Sequence, residues 1–134
     1  MTLAEDVIEV VRLVPPGCVV AYGDLAELFG TSPRIIGRIM ATHDAVDVPW
    51  WRVLRADGGM TPHLRDEARG HWLEEGIGLA GERVRIRQYR ADLAVLADRA
   101  EQLLGTLPGA GEVVLDRPES GSGRVNTLAT ELRP

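Results

Sequence analysis

The chain has 134 residues, of which 45% are hydrophobic and only 4% aromatic, and its formal net charge is -5. This length indicates one domain with a real core and room for a short appendage. The negative charge argues against binding of nucleic acid by bulk electrostatic attraction. Every basic residue is arginine, so each cation can make planar, two-pronged contacts.

The cysteine and histidine content excludes several kinds of site. Cys18 is the single cysteine, which rules out an internal disulfide and a cysteine-based zinc site. His43, His63 and His71 lack ligand spacing, so we expect neither a metal nor another cofactor. Acidic residues interrupt the apolar N-terminus, and no apolar run reaches membrane-spanning length. We therefore expect a cytoplasmic protein with no membrane partner.

The first predicted element is an amphipathic helix. Thr2 and Glu5 have the spacing of a capping box, and apolar residues follow at helical intervals. Pro15-Pro16-Gly17 ends this helix. Cys18-Val19-Val20 then indicates a short apolar strand.

Two short helices are predicted next. The first runs from about Gly23 to Phe29 and is ended by Gly30. The second begins with Ser32 as N-cap and Pro33 at the first helical position, and runs to about residue 42. A tight turn between two short helices is typical of a helix-turn-helix, although many proteins that do not bind DNA contain such pairs.

The second of these helices has one apolar and one basic face. The residues expected to point inward are Ile35, Ile36, Ile39 and Met40. Arg34 and Arg38 are four residues apart and share the other face. They fit the exposed start of a recognition helix, and also fit two solvated arginines on an ordinary helical core.

A hairpin is predicted around Asp57-Gly58, with 52–54 and 59–61 as its strands. A hairpin that follows a helix-turn-helix is a wing. Residues 64–75 predict a helix closed by Gly76, and the alternation over 83–87 predicts a strand with Val84 and Ile86 facing inward.

The C-terminal part divides into a helix and a tail. Residues 91–104 carry an apolar stripe, which favours packing against the rest of the chain over binding of a partner, although a docking role stays open. Its members are Leu93, Leu96, Ala97, Ala100, Leu103 and Leu104. Residues 105–134 are rich in Gly, Pro, Ser and charge and predict disorder. The predicted organisation is a domain at 1–90, a helical extension at 91–104 and a tail at 105–134.

Adjacent tryptophans stand in the segment Val48-Pro49-Trp50-Trp51-Arg52-Val53. Two indoles behind a proline, just before the predicted hairpin, indicate the wall of a fixed site. The segment contains no Cys, Ser or Asp that would serve as a nucleophile.

The order of these motifs resembles the DNA-binding domain of the alkylguanine-DNA alkyltransferase family, over about residues 4–80. The family has a proline-glycine turn with Tyr-Gly, an Arg-x-Val-Gly helix, a Pro-Cys-His-Arg motif and a Leu-x-x-Glu-Gly motif. The matching segments here are Pro16–Ala26, Pro33–Gly37, Val48–Val53 and Leu73–Gly76. The resemblance implies a mainly helical α/β fold with a winged helix-turn-helix and an extra C-terminal helix.

The resemblance breaks down at the reactive residue. Trp50 replaces the family's acceptor cysteine and Trp51 replaces the neighbouring histidine, so nucleophile and base are both missing. An indole N–H is a donor only. Glu75 matches the carboxylate that orients that histidine, and its partner is gone. We favour Trp51 as a core residue under the wing.

A tryptophan at this position is the mark of the alkyltransferase-like proteins. They are non-enzymatic relatives that bind alkylated guanine in duplex DNA, flip it and flag it for nucleotide excision repair. The resemblance therefore implies as partners duplex DNA alkylated at the guanine 6-oxygen and excision-repair proteins. It also implies a monomer associated with the nucleoid through DNA.

The resemblance assigns roles to individual residues. Tyr22 rotates the lesion nucleotide outward, Arg34 enters the vacated stack, and Trp50 contacts the alkylated base, while the carbonyls of Trp50 and Val53 accept from the guanine amine. His63 or Arg65 probes the base. The expected DNA-binding residues are Tyr22, Ser32, Pro33, Arg34 and Arg38. The expected lesion-pocket residues are Tyr22, Pro49, Trp50, Arg52, Val53 and His63.

Two other functions stay open. A winged-helix regulator would prefer a particular undamaged sequence. An alkyltransferase with an unexpected acceptor would take the alkyl group onto another residue, although Cys18 lies at a different motif position.

Overall fold

The structure is a computed structural model that describes residues 2–108. The helices within this range are α1 Leu3–Leu13, α2 Tyr22–Phe29, α3 Pro33–Thr42, α4 Arg65–Glu75, α5 Ile86–Tyr89 and α6 Leu93–Leu104. The strands are β1 Val20–Ala21, β2 Val53–Leu54, β3 Leu79–Ala80 and β4 Arg83–Val84. The predicted mainly helical α/β class is confirmed. The predicted tail lies outside the described residues from position 109 onward.

Helix α1 begins and ends as its sequence predicts. The Thr2 hydroxyl accepts from the Glu5 N–H at 3.1 Å, and the Glu5 carboxylate accepts from the Thr2 N–H at 2.9 Å. The helix ends at Leu13 because prolines 15 and 16 cannot donate to its carbonyls. Its buried face includes Val7 and Val11.

Helices α2 and α3 pack against each other as the predicted helix-turn-helix. Gly30 ends α2 in the left-handed region at φ 63°, where glycine has no steric cost. Ser32 caps α3 by accepting from the Ile35 N–H at 3.2 Å. The Ile35 side chain, however, is 41% exposed, so its predicted inward position is wrong. The buried face of α3 is centred on Ile36 and Ile39. Because successive residues are rotated by about 100° around a helix, Ile35 lies off this face.

The strand pairing differs from the predicted hairpin. The turn itself forms, because the Arg55 N–H donates to the Gly59 carbonyl at 3.0 Å. Residues 59–61 form no strand, and β2 pairs in parallel with β1, with Val20 opposite Val53. The Gly58 carbonyl accepts instead from the Val84 N–H at 2.9 Å. The wing is therefore a turn supported by β4 rather than a two-stranded ladder.

The predicted strand at 83–87 is also only partly correct. Strand β4 covers Arg83–Val84 and pairs with β3, which is equally short. After β4 the backbone becomes helical, and the Gln88 N–H donates to the Arg85 carbonyl at 2.9 Å. Val84 is buried as predicted, whereas Ile86 is half-buried.

The core has two parts. The larger lies between α1, α2, α3 and α6, and it includes Leu96 and Ala100 of α6. The predicted packing of α6 against the rest of the chain is therefore confirmed, although Leu103 is 52% exposed. The smaller part surrounds Trp72, which is fully buried beside Leu54. No helix in residues 2–108 is long and apolar enough to cross a membrane.

Candidate DNA interface and base pocket

The β1–β2 pairing brings Tyr22 and Trp50 together. Tyr22 is the first residue of α2, directly after β1, while Trp50 begins a 3-10 turn directly before β2. The two side chains border a cavity of about 300 Å³. Its lining residues are Tyr22, Gly37, Met40, Ala41, Trp50, Val53, Met60, Thr61, His63 and Leu64. We call this cavity the base pocket.

The base pocket combines apolar walls with a few polar groups. Met40, Met60 and Val53 offer apolar surface, while Tyr22 and His63 supply polar atoms. Burial raises the pKa of the Tyr22 phenol more than the nearby Arg55 and Thr61 lower it. The phenol is therefore a neutral hydrogen-bond donor at physiological pH. Such a pocket suits a small planar group with an apolar substituent.

The predicted lesion-pocket residues fall into two places. Tyr22, Trp50, Val53 and His63 line the base pocket. Pro49 and Arg52 do not; they line an open groove of about 770 Å³ on another side of Trp50. We call it the outer groove. Trp50 is thus a wall shared by both spaces.

Trp51 and Arg52 are held by Glu75. The Trp51 indole N–H donates to Glu75 Oε2 at 2.8 Å, and Arg52 Nη2 donates to the same oxygen at 2.6 Å. Arg52 Nε and the Gly17 N–H donate to Oε1, each at 3.0 Å. Arg52 Nη1 also reaches the Val14 carbonyl at 2.9 Å, so the guanidinium points away from the base pocket.

This arrangement corrects one expectation and refines another. Glu75 is not left without a partner, because the Trp51 indole N–H donates to it. Trp51 packs against the smaller part of the core, as expected, but its ring is only half-buried and also lines the outer groove. Burial raises the pKa of Glu75, but hydrogen bonds from Arg52, Gly17 and Trp51 outweigh it and lower the pKa below its usual range.

Sequence reasoning missed the role of His71. Its imidazole stacks on the Trp51 ring with 3.6 Å between centroids and 7° between planes. Trp50 meets both rings edge-on, at 5.6 Å from Trp51 and 5.9 Å from His71. The available signal was the spacing of His71 and Glu75, which are four residues apart on α4 and so face the same side.

Of the predicted DNA-binding residues, Tyr22 begins α2 and the other four belong to α3 or its N-cap. Ser32 and Pro33 start the helix, and Arg34 and Arg38 are exposed. Neither arginine lies within 4 Å of a carboxylate in the range 2–108. Gly37, Met40 and Ala41 on the same helix line the pocket. Two exposed cations therefore stand beside the pocket without a carboxylate partner in the described chain.

Of the two residues considered as base probes, only one lines the pocket. His63 belongs to the 3-10 turn Pro62–Leu64 and borders the cavity. Arg65 instead pairs with Glu82, with 3.0 Å between Nη1 and Oε1. Residues 2–108 contain no cluster of three or more His, Cys, Asp or Glu side chains placed to hold a metal ion.

Comparison with known proteins agrees with this geometry. The model of the family described as "6-O-methylguanine DNA methyltransferase, DNA binding domain" matches residues 2–77. The chain belongs to this family. The match ends just after α4 and includes β1, α2, α3, Trp50 and the Glu75 network.

A curated relative is the methylated-DNA--protein-cysteine methyltransferase of Methanopyrus kandleri. The two sequences are 43% identical over 54 residues, which cover 40% of this chain. The matched part spans 41% of the length of that relative.

Two solved structures have the same fold. One is S. pombe Atl1 in complex with damaged DNA containing O6-carboxymethylguanine, with a TM-score of 0.54 and 23% identity. The other is S. pombe ATL in complex with DNA, with a TM-score of 0.53 and 24% identity. Each likeness covers 69% of this chain and 99% of the other chain. The predicted fold of the alkyltransferase DNA-binding domain is confirmed.

Proposed function

We propose that this protein is a non-enzymatic reader of duplex DNA that carries guanine alkylated at the 6-oxygen. The observation that carries the proposal is the indole of Trp50 in the wall of the base pocket. An indole offers a flat surface for a base and no nucleophilic atom for an alkyl group. The pocket thus suits recognition better than transfer.

The location of the thiol supports the same conclusion. Cys18 is the single cysteine of the chain and lines a different cavity, with Leu13 and Ala91 among its neighbours. It is therefore poorly placed to take an alkyl group from a base beside Trp50. The Glu75 carboxylate accepts hydrogen bonds from the Trp51 indole and the Arg52 guanidinium, and neither of these groups is a general base at neutral pH.

Recognition would require the alkylated nucleotide to leave the helical stack. Unstacking and unpairing one nucleotide costs roughly a few kcal/mol. Arg34 is exposed at the start of α3, where a cation opposes the helix dipole, and its planar guanidinium is suited to filling the vacated space. Tyr22, at the start of α2, would press the nucleotide out of the stack. S. pombe Atl1, which has the same fold, was crystallised with damaged DNA containing O6-carboxymethylguanine, and this supports such DNA as the partner.

Backbone carbonyls beside the pocket would read the guanine edge. The Trp50 carbonyl already accepts from the Val53 N–H, which closes the 3-10 turn. A carbonyl oxygen has two lone pairs, so Trp50 retains one for the exocyclic amine of a guanine. The apolar side chains of Met40 and Met60 would surround the alkyl group.

Binding without transfer leaves the lesion in the DNA. The complex would therefore mark the site for proteins that remove the damaged nucleotide, and the excision-repair system performs that kind of reaction. The protein would be found with the nucleoid because it is bound to DNA.

The proposal is tested by titrating the protein with two fluorescently labelled duplexes that differ only in a methyl group on one guanine 6-oxygen. We expect tighter binding of the methylated duplex, and equal dissociation constants would reject the proposal. A labelled methyl group found on the protein by mass spectrometry would establish an alkyltransferase instead. Selection of one undamaged sequence from random duplexes would establish a regulator.

A further inference from the structure

Trp50 is supported from behind by two parallel rings. Trp51 and His71 form a face-to-face pair, which we call the backing stack, and Trp50 meets both rings edge-on at 85° and 82°. Centroid distances of 5.6 Å and 5.9 Å fall in the favourable range for edge-to-face aromatic contacts. The backing stack therefore makes two aromatic contacts with the Trp50 ring.

The Trp51 half of the backing stack is firmly anchored. Glu75 accepts from its indole N–H at 2.8 Å, and the Trp72 indole N–H donates to its carbonyl at 2.8 Å. The Arg52 guanidinium carbon lies 5.5 Å from the Trp51 ring centre. For His71, by contrast, the carboxylate contact found within residues 2–108 is a distant one, with Glu74 at 4.0 Å. The His71 side chain contacts Trp51 by stacking and Trp50 by an edge-on approach.

The outer groove provides the space into which Trp50 would otherwise turn. It measures about 770 Å³ and is bordered by Trp50, Trp51 and His71. Without the imidazole, the Trp50 ring would lose one of its two edge contacts and gain free volume on that side. When a base stacks on a mobile side chain, ordering that side chain on binding costs free energy and weakens the affinity.

We propose that His71 is a positioning residue that holds Trp50 in the orientation needed to distinguish an alkylated base from an unmodified one. This inference rests on the proposed function. His71 does not line the base pocket, so it acts through Trp50 rather than by touching the DNA base.

The test compares His71→Ala and His71→Phe with the unchanged protein. Each protein is titrated with the methylated and the unmodified duplex. The readout is the dissociation constant of the unmodified duplex divided by that of the methylated duplex. We expect His71→Ala to reduce this ratio roughly 2- to 10-fold, which is the range for one aromatic pair. Affinity for the unmodified duplex should stay the same. His71→Phe retains a flat ring and should restore the ratio.

A matched control is Leu73→Ala, two residues further along α4, because that side chain is 70% exposed. It should leave both dissociation constants unchanged. Circular dichroism and thermal melting establish that each variant is folded. If the unchanged protein discriminates and folded His71→Ala discriminates equally well, the positioning role is refuted while the proposed function stands. A failure of His71→Phe to restore the ratio would also refute it. If the unchanged protein does not discriminate, the proposed function itself fails.

Discussion

Glu75→Gln tests the network that replaces the family's histidine contact. The carboxylate receives hydrogen bonds from Gly17, Trp51 and Arg52. The side chains of Arg52 and Glu75 are only 12% and 11% exposed. A glutamine keeps one acceptor oxygen and turns an NH₂ group toward these donors, leaving the guanidinium charge uncompensated.

The expected loss of stability is large for a single neutralised charge. Removing one partner of a buried ion pair costs roughly 3–5 kcal/mol. We take the lower value, about 3 kcal/mol, because the amide retains part of the hydrogen bonding. For a domain of about 100 residues this lowers the melting temperature by roughly 12 °C or more.

The assay is thermal unfolding followed by circular dichroism at neutral pH. Glu74→Gln is the matched control, since that neighbouring side chain is 81% exposed and its loss of charge should shift the melting temperature by no more than about 2–4 °C. A Glu75→Gln protein that melts as the unchanged protein does would refute the assignment of Glu75 as an anchor of Trp51 and Arg52.

The remaining predictions concern pH, individual side chains and salt. Because the pKa of Glu75 is lowered in the folded protein, its contribution to stability is present above the ordinary glutamate pKa and is lost as pH falls through the folded pKa. The difference in melting temperature between the unchanged protein and Glu75→Gln should therefore become smaller as the pH falls through that acidic range. A difference that does not depend on pH would contradict this. Trp50→Ala should weaken binding of the methylated duplex roughly 10-fold or more by removing base stacking, with little change for the unmodified duplex; equal weakening of both would show a general loss of the interface. Arg34→Ala should weaken lesion binding and leave the melting temperature unchanged, whereas Arg38→Ala should weaken both duplexes alike; unchanged lesion affinity in Arg34→Ala would exclude its role in the vacated stack. The logarithm of the binding constant should fall with the logarithm of salt concentration at a slope of roughly -3 to -4, for about three or four phosphate contacts, and a slope near zero would exclude contacts with the DNA backbone.

Local signals in the sequence were sufficient to place most helices. Thr2, Ser32, Gly30 and Gly76 are caps whose effect depends on neighbouring residues only, and each ends or begins a helix as predicted. The failures concern pairings between distant segments. The parallel pair formed by Val20 and Val53 consists of two-residue strands, which are too short to show a periodicity in the sequence. Asp57-Gly58, by contrast, gives a strong hairpin signal, although residues 59–61 form no strand.

The base pocket was predictable from the order of the motifs, whereas for its support the sequence offered only the spacing of His71 and Glu75 on α4. The order of motifs along the chain placed Tyr22 and Trp50 in one site, and both border the same cavity. The stack of Trp51 on His71 joins residues 20 positions apart in the sequence, with no motif to connect them. The prediction that Arg52 lines the pocket was wrong because its guanidinium binds Glu75 instead. That contact depends on the packing of α4 against the 3-10 turn Trp50–Arg52.

The most direct test of the central claim is the structure of the protein bound to a duplex that contains a single O6-methylguanine. We expect the methylated base outside the helical stack, in contact with the Trp50 ring, with the Arg34 guanidinium in the space it left and the methyl group still on the base. A methylated base that remains stacked in the duplex, or a methyl group found on a protein side chain, would contradict recognition without transfer.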